Sequence, residues 1–184
     1  MFILIFLLFL VVGIIKLVSG QFADAGILLG LCTVILLFAL WVDKEKKQAL
    51  QFLNWIKSAQ EDLKKGWAYY SGQKITLRTE VTQYQGCISF FIMTSRFRSR
   101  YLVGGNHVGE WLIFTLPTFL FGWWGFPWGF IFTPQALYRN LRGGYRLTVA
   151  ELLANVDQEI EKLTNPRTAR LSTIFKNAKA EASA

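Results

Sequence analysis

Cysteine, histidine and acidic residues are scarce in this chain of 184 residues, which has two cysteines, one histidine and twelve aspartates and glutamates. Two cysteines cannot build a disulfide framework, and together with His107 they match no zinc-ligand spacing. The sequence also lacks a glycine-rich phosphate loop, a nucleophile elbow and paired carboxylates within a hydrophobic segment. These absences predict a protein that is not an enzyme and that holds no metal.

Apolar residues are abundant instead. They make up 53% of the chain, charged residues make up 17%, and the mean hydropathy is +0.33. This balance predicts a membrane protein, mainly α-helical, with a small β-hairpin. The net charge of +8 is concentrated in residues 43–110 and 139–184, while residues 1–42 hold only Lys16 and Asp24. Two basic regions separated by hydrophobic stretches indicate membrane topology rather than nucleic-acid binding.

Two apolar runs, residues 2–18 and 25–42, predict a transmembrane helical hairpin over residues 1–42. Runs of 17 and 18 residues reach about 25 to 27 Å, the short end of what a bilayer core requires. The loop between them has no basic residue, whereas Lys44, Lys46 and Lys47 follow the second run, which predicts that residue 43 onward is cytoplasmic. A cleaved signal peptide ending near Ser19 is the alternative, although its start lacks a basic residue.

A third apolar stretch, residues 111–133, contains 23 residues without a charge. Gly122, Gly125, Pro127 and Gly129 lie together at its centre, where proline removes a backbone donor and glycine loosens a helix. Two interpretations stay open: a re-entrant or interfacial hairpin over residues 111–141, and a single kinked span. The hairpin keeps the basic residues on both flanks on the cytoplasmic side, as the positive-inside rule requires.

Apolar periodicity predicts the remaining elements. Residues 43–73 read as an amphipathic helix that either lies on the membrane surface or packs on the β region, and residues 74–110 as a β-hairpin. Its strands are predicted at 74–84 and 87–103, with a turn at Gln85 and Gly86. Residues 142–166 form a second amphipathic helix, capped by Thr148 and Glu151, and residues 167–184 a flexible basic tail.

Several side chains are candidates for contact with lipid or a protein partner. Arginines that alternate along one strand face are either solvated or meet an anion, for which lipid phosphate is the local candidate and a soluble phosphate or nucleic acid the other. Tryptophans favour the membrane interface, or else pack against the N-terminal helices and lipid. The candidates are Arg96, Arg98, Arg100, Trp123, Trp124, Trp128, Arg139 and Arg142. His107 is the one residue with ligand potential toward a haem or pigment, although an interfacial hydrogen-bonding role is commoner for such a histidine.

The order W-W-G-F-P-W-G at residues 123–129, followed by N-L-R-G-G at residues 140–144, resembles a segment of uncharacterised bacterial membrane proteins. This resemblance covers about 23 residues and implies a bacterial origin and a hairpin with basic flanks, but no transferable activity. We therefore expect a multi-pass protein of the bacterial cytoplasmic (inner) membrane, or of a thylakoid membrane if the source is cyanobacterial.

The expected function is that of a non-catalytic accessory, assembly or scaffold subunit. It would bind membrane lipid and other membrane subunits or a second copy of itself, and it needs no cofactor. The alternative is a protein that handles lipid or a bound pigment or haem. Transport is disfavoured because the apolar runs carry no ion-coupling group other than Lys16.

Overall fold

The computed structural model describes residues 2–91, 93–104 and 107–165. The chain is mostly helical, with a small sheet region and one long apolar helix near its N-terminus. The tail predicted at residues 167–184 lies outside the described residues. The helices are α1 (Phe2–Val18), α2 (Phe22–Ser58), α3 (Gln60–Lys65), α4 (Val108–Phe121), α5 (Trp128–Leu141), α6 (Val149–Ala154) and α7 (Val156–Thr164). The strands are β1 (Ala68–Tyr70), β2 (Gln73–Ile75), β3 (Glu80–Gln83), β4 (Gln85–Phe90), β5 (Met93–Arg98), β6 (Leu102–Val103) and β7 (Tyr145–Thr148).

Helix α1 packs along the first part of α2. The Cys32 thiol lies 3.6 Å from the carbonyl oxygen of Phe6, and a Cβ on Gly13 would lie 3.3 Å from Leu29. Helix α2 is unbroken over all of its 37 residues, and its sequence contains no proline that would interrupt it. Among the described residues, α2 is the one helix long and apolar enough to cross a bilayer, and α1 is shorter.

The second half of α2 packs inside the protein rather than lying free. Phe52, Leu53 and Ile56 are at most 1% exposed and form a core with residues of the small sheets and of α6. The Trp55 ring on the same helix lies 4.8 Å from the ring of Tyr70. Of the two interpretations of this amphipathic segment, the structure contains the one in which it packs on the β region. The helix predicted over residues 43–73 is too long, because α2 ends at Ser58, α3 ends at Lys65 and residues 68–70 form β1.

The strand predicted at residues 74–84 is wrong as a single strand, because the chain turns between β2 and β3. The Thr79 hydroxyl accepts a hydrogen bond of 2.9 Å from the Thr76 backbone N–H, and the Thr79 N–H donates to the Thr76 carbonyl at 3.0 Å. Local bonds of this kind compete with a sheet ladder. Strand β3 lies between β6 and β7 in a three-stranded antiparallel sheet.

The predicted hairpin turn at Gln85 and Gly86 is also wrong, because both residues lie within β4. Strand β4 pairs with β5 from Gln85 opposite Arg98 to Phe90 opposite Met93. Glycine is required at position 86 because a Cβ there would overlap the ring of Phe97 on the facing strand. The close approach of an aromatic ring thus accounts for a glycine that the sequence alone associates with a turn.

Helices α4 and α5 form an antiparallel hairpin. The chain reverses between Gly122 and Pro127, and the two helices touch where a Cβ on Gly122 would overlap Thr133. Farther from the turn, the Asn140 amide donates to the Thr115 hydroxyl at 3.2 Å. The segment therefore reverses direction instead of continuing as one kinked helix.

The β4–β5 hairpin lies alongside this helical hairpin, and both end at the same point. Side chains of α4 and α5 bond the free edge of β4: the N–H of Cys87 donates to the Thr118 hydroxyl at 3.0 Å, and the N–H of Gln85 donates to the Asn140 side chain at 3.0 Å. At the tip, the N–H of Phe91 donates to the Trp124 carbonyl at 3.0 Å. The β4–β5 hairpin and the α4–α5 hairpin are thus hydrogen-bonded to each other along their length.

Contacts with α2 fix the direction in which these hairpins run. The Trp41 ring lies 5.0 Å from Phe114 of α4 and 6.2 Å from Phe97 of β5. One turn farther along α2, Glu45 binds Arg100, which also binds Glu110 at the start of α4. Strand β5 therefore runs parallel to α2, whereas α4 runs antiparallel to it. The shared tip of the two hairpins consequently points toward the N-terminal end of α2.

The predicted capping box at the start of α6 is confirmed. The Thr148 N–H donates to the Glu151 carboxylate at 2.8 Å, and the Glu151 N–H donates to the Thr148 hydroxyl at 3.3 Å. The single helix predicted over 142–166 is wrong, because the chain breaks into α6 and α7 at Asn155. There the Asn155 amide bonds the Glu151 carbonyl at 3.2 Å, which diverts the local hydrogen bonding. Both helices pack on α2.

Candidate functional site

An open groove of about 1060 Å³ separates the second half of α2 and helix α7 from the β4–β5 and α4–α5 hairpins. Its wall combines apolar rings with several cations. The lining residues that matter below are Val42, Lys46, Gln83, Arg96, Arg98, Trp128, Phe132, Arg139, Glu159 and Lys162. The groove is therefore a basic, partly apolar cleft rather than a hydrophobic pocket.

Arg96, Arg98 and Arg139 are brought together by aromatic rings. The Arg96 guanidinium lies over the ring of Phe132, 4.2 Å from its centroid. Arg98 and Arg139 lie 5.3 and 5.7 Å from the centroid of the same ring, that of Tyr145. Attraction of a cation to an aromatic face holds these side chains without neutralising their charge.

These three arginines have no carboxylate within ion-pair distance in the described part of the chain. Arg139 donates a hydrogen bond of 3.2 Å to the neutral side chain of Gln85. Glu159, the carboxylate on the groove wall, is bound to Lys162 at 2.6 Å. The groove therefore carries an excess of positive charge that an anion would balance.

Arg100 does not join this cluster, although the sequence places it on the same strand face. It lies beyond the end of β5, and its guanidinium binds Glu45 at 3.1 Å and Glu110 at 2.5 Å. Glu45 is only 2% exposed, and its second oxygen accepts a hydrogen bond of 2.8 Å from the Arg100 backbone N–H. Arg100 thus joins α2 to α4 and its charge is already balanced.

The three candidate tryptophans separate into two groups. Trp128 lines the groove and stacks on Phe132, with ring centroids 5.8 Å apart and planes at 11°. Trp123 and Trp124 lie at the hairpin tip, where Trp124 is 68% exposed and its indole N–H donates to the Leu120 carbonyl at 2.9 Å. The indole of Trp124 is therefore satisfied by its own helix, which leaves its ring face free.

Arg142 and His107 lie away from the groove. The Arg142 guanidinium covers the ring of Tyr138, 4.4 Å from its centroid. His107 precedes the first turn of α4, and its Nε2 atom is enclosed and has no hydrogen-bond partner among the described residues. The described residues contain no cluster of three histidine, cysteine or acidic side chains that would hold a metal ion.

Sequence patterns identify only part of this site. Alternation identifies Arg96 and Arg98, flank charge identifies Arg139, and the preference of tryptophan for the membrane interface identifies Trp128. No pattern identifies Lys46 or Gln83. Lys46 is one of several lysines after the apolar run and carries no distinguishing pattern. Gln83 is 3% exposed, and its amide donates to the Ser99 carbonyl at 2.9 Å while its Oε1 accepts nothing from the described residues.

Comparison of the chain with protein-family models, with curated proteins and with solved structures finds no match in any of the three.

Proposed function

We propose that this chain is a non-catalytic accessory or scaffold subunit of a bacterial membrane complex, held in the cytoplasmic (inner) membrane. In this proposal α1 and the first half of α2 cross the bilayer as a hairpin. The joined α4–α5 and β4–β5 hairpins enter the cytoplasmic leaflet without crossing it. The core built on the second half of α2 remains in the cytoplasm.

The distribution of exposed apolar side chains carries this proposal. Large apolar residues are exposed along α1, along the first half of α2 and around the shared tip, whereas the core on the second half of α2 is closed. Soluble proteins rarely leave such surfaces uncovered. Examples are Leu8, Val18, Ile27, Val34, Leu37 and Leu40 on the N-terminal helices, and Phe91, Phe119, Trp124, Phe126 and Phe130 near the tip.

The reach of the hairpins supports entry into one leaflet. The tip end of α4 is Phe121, seven residues or about 10 Å from Phe114. The tip end of β5 is Met93, four residues or about 13 Å from Phe97. Both distances are measured toward the N-terminal end of α2 from the level of Trp41. Because one leaflet contributes about 15 Å of hydrocarbon, hairpins of this length end inside the bilayer.

The hydrogen bonding of the non-helical backbone also supports insertion. An unsatisfied N–H or carbonyl within hydrocarbon costs several kcal/mol, so an open strand edge is normally excluded there. The edge of β4 that faces away from β5 is bonded at Gln85 and Cys87 by side chains of α5 and α4. The turn between α4 and α5 is bonded at Trp124 by the N–H of Phe91.

Spin labels on cysteine variants test the insertion. We expect a label at Phe126→Cys, a position 75% exposed at the tip, to be accessible to oxygen but shielded from a water-soluble nickel complex in reconstituted bilayers. Asp157→Cys, on the proposed cytoplasmic surface, should show the reverse accessibility. Equal nickel accessibility at the two positions would contradict insertion of the tip.

Mild extraction from the native membrane, followed by cross-linking and mass spectrometry, tests the accessory role. A subunit should co-purify with the same chains, or with a second copy of itself, in fixed proportion. Recovery of this chain alone, without cross-links to itself or to another protein, would contradict a scaffold function.

Lipid or cofactor handling is the second candidate, and two observations favour it. Among the described residues, no carboxylate balances the groove arginines that lie beside aromatic rings, and the enclosed Nε2 atom of His107 has no hydrogen-bond partner. If His107 binds a haem or pigment, the purified protein should absorb visible light and His107→Ala should abolish that absorbance. A colourless preparation would reject the cofactor form of this candidate.

A further inference from the structure

We propose that the basic groove binds one anionic glycerophospholipid of the cytoplasmic leaflet. Its phosphate lies among Arg96, Arg98 and Arg139, and its acyl chains descend past Phe132 and Trp128 toward the hairpin tip. This inference rests on the membrane insertion proposed above and names the ligand of the groove.

The first argument is electrostatic. Arg96 and Arg98 are two residues apart on one strand face, about 7 Å along the strand. Arg98 and Arg139 share the ring of Tyr145. Neighbouring guanidinium groups repel unless an anion lies between them, and phosphate oxygens match the guanidinium fork in a bidentate geometry.

The second argument is the position of the groove along α2. Lys46 and Val42 lie one turn apart on its wall, so the groove begins where the apolar run of α2 gives way to charged residues. In the proposed orientation this level is the headgroup region of the cytoplasmic leaflet. Basic residues at this level are attracted to an anionic membrane surface.

The third argument is the order of polar and apolar groups along α5. Trp128 begins this helix at the tip, Phe132 follows one turn later, and Arg139 lies eleven residues or about 16 Å beyond Trp128. Along α5 the wall therefore changes from apolar at its membrane end to basic at its aqueous end, and the Arg96 guanidinium lies over Phe132 between the two ends. A phospholipid has the same order, whereas a free phosphate ion would make no use of the stacked aromatic rings.

Gln83 adds a requirement on the headgroup. Its Oε1 accepts no hydrogen bond from the described residues, although the side chain is almost fully buried on the groove wall. A buried acceptor without a donor is costly. If the Gln83 side chain rotated toward the groove, a headgroup that donates a hydrogen bond, as the glycerol hydroxyls of phosphatidylglycerol do, would satisfy this acceptor.

Native mass spectrometry of the full chain tests the proposal. The protein is released from bilayer nanodiscs that contain equal amounts of phosphatidylglycerol and phosphatidylcholine. We expect one phosphatidylglycerol to be retained in preference to phosphatidylcholine. The triple variant Arg96→Gln, Arg98→Gln and Arg139→Gln should lower that retention at least about tenfold, because it removes three phosphate contacts.

The matched control carries the same loss of charge elsewhere. Lys64→Gln, Lys65→Gln and Arg78→Gln change three exposed cations outside the groove and should leave the retained lipid unchanged. Retention that falls equally in both triple variants would overturn the groove as the site, because net charge alone would then explain binding. If the groove variant unfolds, the single variants Arg96→Gln and Arg98→Gln must each lower retention for the proposal to stand.

A second arm separates a lipid from a free anion. Trp128→Ala combined with Phe132→Ala should weaken retention of phosphatidylglycerol, because the acyl chains lose their apolar wall. Inorganic phosphate at millimolar concentration should not displace the lipid from the wild-type protein. Displacement by phosphate, or full retention in the double variant, would overturn the lipid and leave a site for a free anion.

Flotation distinguishes failure of this inference from failure of the proposed function. Protein inserted in the bilayer floats with vesicles after alkaline carbonate extraction, and all groove variants should do so. If the wild-type chain does not float, the membrane insertion is wrong and the groove proposal falls with it. If it floats without preferring phosphatidylglycerol, only the groove proposal is overturned.

Discussion

The two halves of helix α2 have similar apolar side chains but opposite surroundings. In the first half, Ile27 is 65% exposed and Leu37 is 60% exposed, with α1 as the main protein neighbour. In the second half, Phe52 and Leu53 are at most 1% exposed, enclosed by the small sheets and by α6. One unbroken helix thus passes from a region with an open apolar surface into a closed core.

The two halves differ in the pattern of their apolar residues rather than in the hydrophobicity of single residues. The first half is apolar on nearly all sides, which suits a segment whose outer face meets lipid. The second half confines its apolar residues to one stripe and carries lysine and glutamate elsewhere, which suits a segment that meets water. Substitutions along α2 should therefore have effects that depend on the half in which they fall.

The largest contrast is expected between Phe52→Ala and Leu37→Ala. Removing the buried Phe52 ring should cost about 3 to 5 kcal/mol, because a cavity remains in a core that cannot collapse fully. Truncating Leu37, which would face lipid, should change stability by less than about 0.5 kcal/mol. Thermal unfolding of both variants in the same detergent, followed by circular dichroism, measures the difference. Equal losses would contradict the division of α2 into two environments.

Glu45 lies at the junction of the two halves of α2, and its substitution is expected to have the second-largest effect on stability. Glu45→Ala should lower stability by about 2 to 3 kcal/mol, because the guanidinium and the backbone N–H of Arg100 lose an enclosed acceptor. Asp43→Ala is the control: Asp43 is bound to Lys47 at 2.7 Å but lies on the exposed side of α2, so no measurable change is expected. A similar loss in both variants would show that the enclosure of Glu45 is unimportant.

The α4–α5 hairpin offers a smaller effect that separates packing from helix propensity. Gly122→Ala should cost about 1 to 3 kcal/mol, because its Cβ would overlap Thr133. Gly109→Ala, where a Cβ meets no atom within 4 Å, should be neutral or stabilising by up to about 1 kcal/mol. Adding Thr133→Ala to Gly122→Ala should recover part of the loss. Melting temperatures of these three variants and of the wild type provide the test.

The same contrast explains what the sequence can predict. The apolar runs, the chain reversal near Gly122 and the cap at Thr148 are local signals, and each is present in the structure. The pairing of β4 with β5 is not local, because it depends on Phe97 lying over Gly86 and on side chains of α4 and α5 bonding the strand edge. Alternation alone cannot specify which register such contacts select.

The groove illustrates the same limit. Arg96 and Arg98 are visible as alternating residues of one strand, but their proximity to Lys46 and Arg139 arises only when α2, β5 and α5 meet. Arg100 has the same spacing and a different role, because the carboxylates of Glu45 on α2 and Glu110 on α4 bind it. Charge pattern identifies candidate residues, whereas tertiary contacts decide which of them stay available to a ligand.

The smallest effect is expected at the cap of α6, in the part of the molecule that contains the closed core. Thr148→Ala should lower stability by about 1 kcal/mol, because the Glu151 N–H loses its acceptor. Thr164→Ala is the control and should have little effect, because this exposed hydroxyl at the C-terminal end of α7 bonds only its own helix.

The cap should also respond to pH. Hydrogen bonds from Thr148 hold the pKa of Glu151 below its ordinary value of 4.5, and the bond from the Thr148 backbone has a larger effect than the one from its side chain. Because the pKa is lower in the folded state, this carboxylate contributes stability that is fully present above about pH 4.5. That contribution is lost as the pH falls through the folded-state pKa. Glu151→Gln, which cannot titrate, should therefore be less stable than the wild type at pH 7 and should approach it as the medium is acidified. Melting curves at stepwise lower pH would contradict this if the difference between the two proteins stayed constant.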